Sequence, residues 1–151
     1  MVSIREARPD ELALAARHYL GMRRELGWSD GELDADFVSL FAATYSESAA
    51  SGDSRYFVAE IDGVLAGSAV ALRRRPMSER YLKSKPSGYL ANLYVDPAHR
   101  RHGAARALTS AAIGWLASIG CSVVRLQASD AGRPLYESMG FVSTGEMELR
   151  L

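Results

Sequence analysis

The chain has one cysteine, Cys121, which excludes an internal disulfide. Its three histidines are too scattered to form a recognisable metal-ligand spacing, so no metal site is expected. No stretch of about eighteen consecutive apolar residues occurs, which excludes a membrane-spanning helix on pattern. Charge of one sign is also missing: 18 Lys and Arg balance 18 Asp and Glu, so no overall field exists to hold a nucleic-acid backbone, and any anion site must be local. Repeats, low-complexity tracts and composition breaks are absent. The opening MVSIREARPDELALAARHYL lacks the apolar core of a secretion signal, so a cytoplasmic location is expected. What is present suits one domain over residues 1–151, with 48% hydrophobic and 24% charged residues enough to build a core.

Periodicity orders the elements. SIREAR alternates around Ile4 as a strand, Pro9-Asp10 interrupts it, and Leu12, Ala15, Ala16, Tyr19 and Leu20 then share one side of a helix. A second helix follows the break at Gly27 to Gly31, with Phe37, Leu40, Phe41 and Tyr45 on its apolar face, and ASGDS ends it. RYFVAEI and VLAGSAVAL are strands joined at Asp62-Gly63, a dipeptide suited to a tight hairpin. Arg73 to Ser87 lacks periodicity and predicts a mobile surface connection, and GYLANLYV predicts the next strand. From Gly103, residues Ala104, Leu108, Ala111, Ala112, Trp115, Leu116 and Ile119 keep a helical period up to Gly120. SVVRLQA predicts a strand, GRPLYESMGF a short helix with Pro134 in its first turn, and the tail two more strands. The order is mixed α/β, with helices inserted between strands of one sheet.

The stretch VDPAHRRHGAARAL, residues 95–108, carries the chemistry. The first N–H groups of a helix have no partner inside it, and together with the aligned peptide dipoles they form a positive mouth for an anion. Small residues at Gly103 and Ala105 let a phosphate approach the backbone, and Arg100, Arg101 and His102 add positive charge at its edge. A pyrophosphate fits this description; the competing reading is a basic helix N-terminus that is merely solvated. A Walker loop would need Gly-Lys-Ser or Gly-Lys-Thr, and a dinucleotide fingerprint a third glycine at Ala107-Leu108; neither is present.

LYVDPAHRRHGAARAL resembles the acyl-coenzyme A motif of the GNAT acetyltransferase superfamily, Arg/Gln-x-x-Gly-x-Gly/Ala, with Arg100, Gly103 and Ala105 in its three defining places. LYESMGF, residues 135–141, is similar to a second signature of the same superfamily. The resemblance implies a mixed, mostly antiparallel central sheet with a splayed strand pair and helices on both faces. It implies acetyl-CoA as cosubstrate, its pantetheine arm bonded to main-chain groups near Leu93, Tyr94 and Val95, and its pyrophosphate held at Arg100, Arg101, His102, Gly103, Ala104 and Ala105. Ser129 would also face the cofactor; it and Gly132 stand where many members have asparagine and alanine. The thioester carbonyl would sit by the amides of the splayed strand, which would stabilise a tetrahedral oxyanion.

A lysine-type amine, with a reference pKa of about 10.4, is almost wholly protonated at neutral pH and must lose a proton before it attacks a thioester. Many superfamily members carry a carboxylate on the strand before the cofactor loop, where this chain has Tyr89 and Asn92. Asn92 orienting a water, or Glu60 or His18 relaying a proton, competes with plain structural or surface roles, and the base stays unassigned. The resemblance places the Tyr136 hydroxyl beside the sulfur of the departing coenzyme A. Full proton transfer from a phenol to a thiolate is uphill by roughly 2 kcal/mol, so stabilising the thiolate by a hydrogen bond is the better description. Cys121 is expected to pack as a small apolar residue. Arg73 to Arg75 are expected to be solvated, and Asp30, Glu32, Asp34 and Asp36 to complement the second helix or attract a cationic acceptor. The expected function is N-acetyl transfer from acetyl-CoA by direct attack of a small-molecule or peptide amine, without nucleic-acid or membrane partners. Two readings compete with it: a non-catalytic module that senses acyl-CoA, and a structural protein that pairs through helix 103–119. The resemblance also makes a homodimer the expected assembly.

Overall fold

A computed structural model of the chain describes every residue except Leu82, Ser84 and the side chain of Glu79, which lie within the predicted 73–87 connection. Strand β1 (Val2–Glu6) is the first element, and α1 (Leu12–Glu25) and α2 (Phe37–Ala50) follow it. β2 (Ser54–Ile61) and β3 (Val64–Arg74) form the hairpin at Asp62-Gly63, and β4 (Ser87–Val95) completes the antiparallel part of the sheet. The long α3 (Ala104–Ser118), β5 (Val123–Arg125) and α4 (Arg133–Ser138) complete the order. The five strands lie in the sheet as they do in sequence; β1 to β4 are antiparallel and β5 runs parallel to β4. A parallel neighbour needs a crossover, and α3 is that crossover.

Each helix buries the stripe that its sequence period predicts. On one face of the sheet Leu108, Ala112 and Leu116 of α3 pack with Ala69, Ala71, Leu90 and Val95; on the other Leu12, Ala15, Ala16 and Phe41 of α1 and α2 pack with Tyr56 and Val70. Leu40 departs from the expected α2 stripe and is 51% exposed, because Phe37, Phe41 and Tyr45 fill the contact with Tyr19 and Tyr56. Leu108 is fully buried, so Leu108→Ala is expected to lower unfolding stability by about 2–5 kcal/mol, measurable by urea denaturation.

Three expectations change. β3 continues through Arg73 and Arg74, and a short 3-10 turn occupies Met77–Arg80, so the irregular connection is shorter than the composition suggested. There Arg74 lies over the Tyr89 ring at 3.8 Å and Arg75 pairs with Asp53 at 2.7 Å, while both stay exposed to solvent as expected. β5 holds only three residues of SVVRLQA. The tail forms no strand among the described residues: Met147 and Leu149 alternate as a strand would, yet they are 94 and 83% exposed, and Val142 before them is 82% exposed. Alternation makes a strand only against a paired edge, and the short β5 offers little edge to template one.

An ion-pair cluster ties β1 to the start of α1. The Glu11 carboxylate is 5% exposed and receives both Arg5 guanidinium nitrogens, the Arg8 guanidinium and the Arg8 backbone N–H. The Arg5 hydrogen bonds, helped by the Arg8 N–H and by the charges of both arginines, hold its pKa at about 2 against an ordinary 4.5. A depressed acid contributes stability above its unfolded pKa and loses it as pH falls. Glu11→Gln is therefore expected to lower Tm at neutral pH and to flatten the loss of stability between pH 4.5 and about 2, followed by thermal melts across that range.

Candidate functional site

Four features of the fold meet at the C-terminal end of β4. The first is a bulge. Ser68 faces Tyr94 and Val70 faces Ala91, so Ala69 opposes two β4 residues, Asn92 and Leu93. Asn92 takes up the extra residue at φ +52°, a left-handed conformation that asparagine tolerates better than a carboxylate-bearing glutamate or a β-branched residue. This gives a backbone reason for asparagine at that place.

The second is the splay. β4 and β5 pair only at Ser87 with Val123, Gly88 with Val124 and Tyr89 with Arg125. From Leu90 to Val95 the β5-facing edge of β4 has no strand partner among the described residues, which leaves main-chain groups at Leu93 and the Val95 N–H for an extended ligand, while Val95 O accepts from Arg100. Leu93 itself packs toward the α3 side of the sheet, whereas the Tyr94 ring lies against α1, 5.6 Å from that of His18.

The third is the turn into α3. Gly103 caps the helix at φ +84° without a side-chain hydrogen bond, and Arg101 is left-handed at φ +69°. These angles turn the chain so that the amides of 102–105 lead into the helix mouth. The earliest N–H satisfied by the helix itself is that of Ala107, bonded to Gly103 O at 3.0 Å. The Ala104 methyl is buried in the core while its N–H belongs to the mouth, and Arg101 and His102 are exposed at the rim. Arg100 sits differently: its guanidinium bonds Val95 O at 2.9 Å and Glu25 at 2.5 Å and lies over the Tyr94 ring. These contacts brace the turn against α1. Gly21 makes room for this bracing, since a Cβ there would come within 2.7 Å of the Tyr94 ring.

The fourth is Tyr136 on α4, mostly buried against the α3 side of the core and edge-on to Phe141 at 5.8 Å. Burial pushes its phenol above the usual 10, which favours the protonated form. Ser129 is engaged locally: its Oγ accepts from Gly132 N at 3.2 Å and its carbonyl accepts from Arg133 N, so it shapes the entry to α4. A cavity of about 1070 Å³ between β5, α4 and the tail shares Tyr136 with the site, but its walls do not include the turn into α3.

The remaining candidates separate. Glu60 is ion-paired with Arg5 on the distant edge of the sheet, and Cys121 packs partly buried against the α3 core. Of the four acids ahead of α2, Asp30 holds Arg24 and Glu32 holds Arg23, while Asp34 and Asp36 line a cleft of about 480 Å³ with Leu20, Leu33 and Phe37. Arg23 was not marked as functional by the sequence reading. It lies against Tyr19 and Trp28 at 5.8 and 5.2 Å and bonds Ser29 O, fastening the loop that carries this cleft.

Comparison with known proteins agrees with this geometry. Residues 17–141 match the family model described as Acetyltransferase (GNAT) family. Human N-acetyltransferase 8 is 34% identical over 96 residues, which cover 62% of this chain and 40% of that protein; the chain thus spans about two fifths of that relative. The crystal structure of a GCN5-related N-acetyltransferase from Ralstonia eutropha JMP134 superposes with a TM-score of 0.83 at 30% identity, covering 100% of this chain and 99% of the other. A predicted acetyltransferase from Clostridium acetobutylicum, solved with acetyl-CoA, has a TM-score of 0.82 at 22% identity over 99% of this chain and 96% of its own. With the family model covering most of its length, the chain belongs to the GNAT acetyltransferase family.

Proposed function

We propose that the protein is an acetyl-CoA-dependent N-acetyltransferase in which an amine attacks the thioester directly. The observation that carries this reading is the alignment of the open β4 edge with the phosphate turn at its end. A pantetheine arm is an extended chain of amides ending in a pyrophosphate, and it would bond as a strand substitute beside Leu93 and Val95 before reaching the amides of 101–105. Tyr94, Arg100 and Ala104 would shape that surface through packing and main-chain groups. Tyr136 would hydrogen-bond the departing thiolate, and the bulge amides would hold the oxyanion.

The acceptor would lie over the α1–α2 side, where Asp34 and Asp36 favour a cationic amine, small or peptide-borne. The double substitution Asp34→Asn and Asp36→Asn is expected to raise KM for a charged amine about three- to tenfold with kcat little changed. Coenzyme A thiol release, assayed against a panel of primary amines, tests the function. Acceptor-dependent release is the expected result, and binding of acetyl-CoA with no release for any amine would contradict it. No described helix is long and apolar enough to cross a membrane. Action in the cytoplasm and assembly as a homodimer belong to the same proposal.

A further inference from the structure

Beneath the bulge, polar groups run through a core that apolar residues would fill at lower cost. Asn92 Nδ2 donates to the Tyr45 hydroxyl at 2.9 Å, and the Tyr45 and Tyr56 rings meet edge-to-face at 5.1 Å. The Tyr56 hydroxyl, on a residue 5% exposed, lies near Asn92 and Ser68 but makes no hydrogen bond among the described residues. Ser68, fully buried, has its Oγ 2.9 Å from His18 Nδ1. His18 is 3% exposed; its Nε2 is buried without a hydrogen bond and lies 3.8 Å from Asp96 Oδ2, on a side chain that is 40% exposed. Strands β2 and β3, helix α1 and the turn after β4 thus contribute two hydroxyls, an imidazole and a carboxylate in sequence from the bulge to the surface. Burying polar atoms unpartnered is unfavourable, which leaves their presence to be explained by use.

Resting on the acetyl-transfer reading above, we propose that Tyr56, Ser68 and His18 form a buried proton outlet for the attacking amine, with Asp96 holding the imidazolium that results. The proton leaves the ammonium at the bulge, the Tyr56 and Ser68 hydroxyls each accept one proton and pass one on, and His18 Nδ1 takes the last. One N–H bond breaks on the amine and one forms on His18, with no change in oxidation state. His18 then gives its Nε2 proton to solvent through the exposed Asp96 carboxylate, which leaves the ring protonated on Nδ1, and proton exchange with solvent between turnovers restores the Nε2 form. The arrangement demands that Ser68 donate to Nδ1 and that the resting proton sit on Nε2, facing Asp96. Around the imidazole the charged and titratable groups are Asp96 after β4, Arg17 on α1, Tyr94 on β4, and Glu25 and Arg100 beyond the Tyr94 ring. Burial, with Arg17 assisting and Asp96 opposing, lowers its pKa from 6.5, so at pH 7 it is a neutral acceptor.

The test has two arms. Nitrogen-15 spectra of histidine-labelled protein, with the His18 signals identified by their loss in His18→Gln, should show a neutral ring protonated at Nε2 at pH 7. The opposite tautomer or a charged ring overturns the outlet whether or not any amine is acetylated. In the second arm, thiol release is followed across pH with the fastest of spermidine, tyramine and an α-amino tetrapeptide. His18→Gln and Tyr56→Phe should each lose about 100-fold in kcat at pH 7. The defect should shrink to about threefold by pH 10, where a lysine-type amine is losing its proton unaided. A loss that is the same at every pH, or no loss, overturns the outlet. Tyr56→Phe removes one oxygen and keeps the ring, so it answers even if His18→Gln does not fold. No turnover by the unaltered protein with any amine refutes the acetyl-transfer reading instead, and the tautomer then decides the outlet.

Discussion

Replacing Gly103 with valine is expected to raise the dissociation constant for acetyl-CoA by about 100-fold or more, measured by calorimetry. At φ +84° a β-branched residue is strongly disfavoured, so the turn must open and the amides of 102–105 lose their common aim. A hydrogen bond to a charged group contributes about 1.5–3 kcal/mol, and losing two accounts for the expected change. Crowding is not the cause, since nothing lies within 4 Å of a Cβ built at this position. The variant should therefore keep its fold and near-native Tm while losing the ligand. Gly103→Ala, with less steric restriction, should show the same effect at a smaller size.

Tyr136→Phe is expected to lower kcat about 100-fold while leaving acetyl-CoA affinity within about twofold. Phenylalanine preserves the edge contact with Phe141 and the packing against the α3 core, so only the hydroxyl is removed. A hydrogen bond made only as sulfur gains negative charge acts on the transition state and leaves ground-state binding alone. Because burial holds the phenol above its usual 10, wild-type kcat should show no alkaline loss from this group below that pH. Steady-state thiol release and ligand titration separate the two parameters. Equal kcat in both proteins would remove Tyr136 from the chemistry, and parallel loss of kcat and binding would make it a packing residue.

The architecture was legible wherever a residue's environment is set by near neighbours. The α3 stripe, the Asp62-Gly63 hairpin and Pro134 at the start of α4 follow from helical period, turn conformation and the fixed φ of proline. Gly103 belongs to the same class, since its role follows from its own backbone angles. Arg100 does not. The motif shows a cation beside the phosphate turn, but its ion pair with Glu25 depends on a helix 75 residues earlier in the chain. The line from Asn92 to Asp96 was equally hidden, because His18 and Ser68 are 50 residues apart and meet only when α1 crosses β3. The tail shows the opposite failure: Met147 and Leu149 have the local pattern of a strand, but pairing requires an edge that their alternation cannot supply.

The account depends above all on the main-chain donors at the start of α3. Titration of acetyl-CoA into nitrogen-15-labelled protein, followed amide by amide, measures them directly. The amide signals of residues 101–105 should move downfield and saturate together at one ligand per chain, with those of Leu93 and Val95 moving in the same titration. Binding that shifts other amides and leaves 101–105 unmoved would contradict the account.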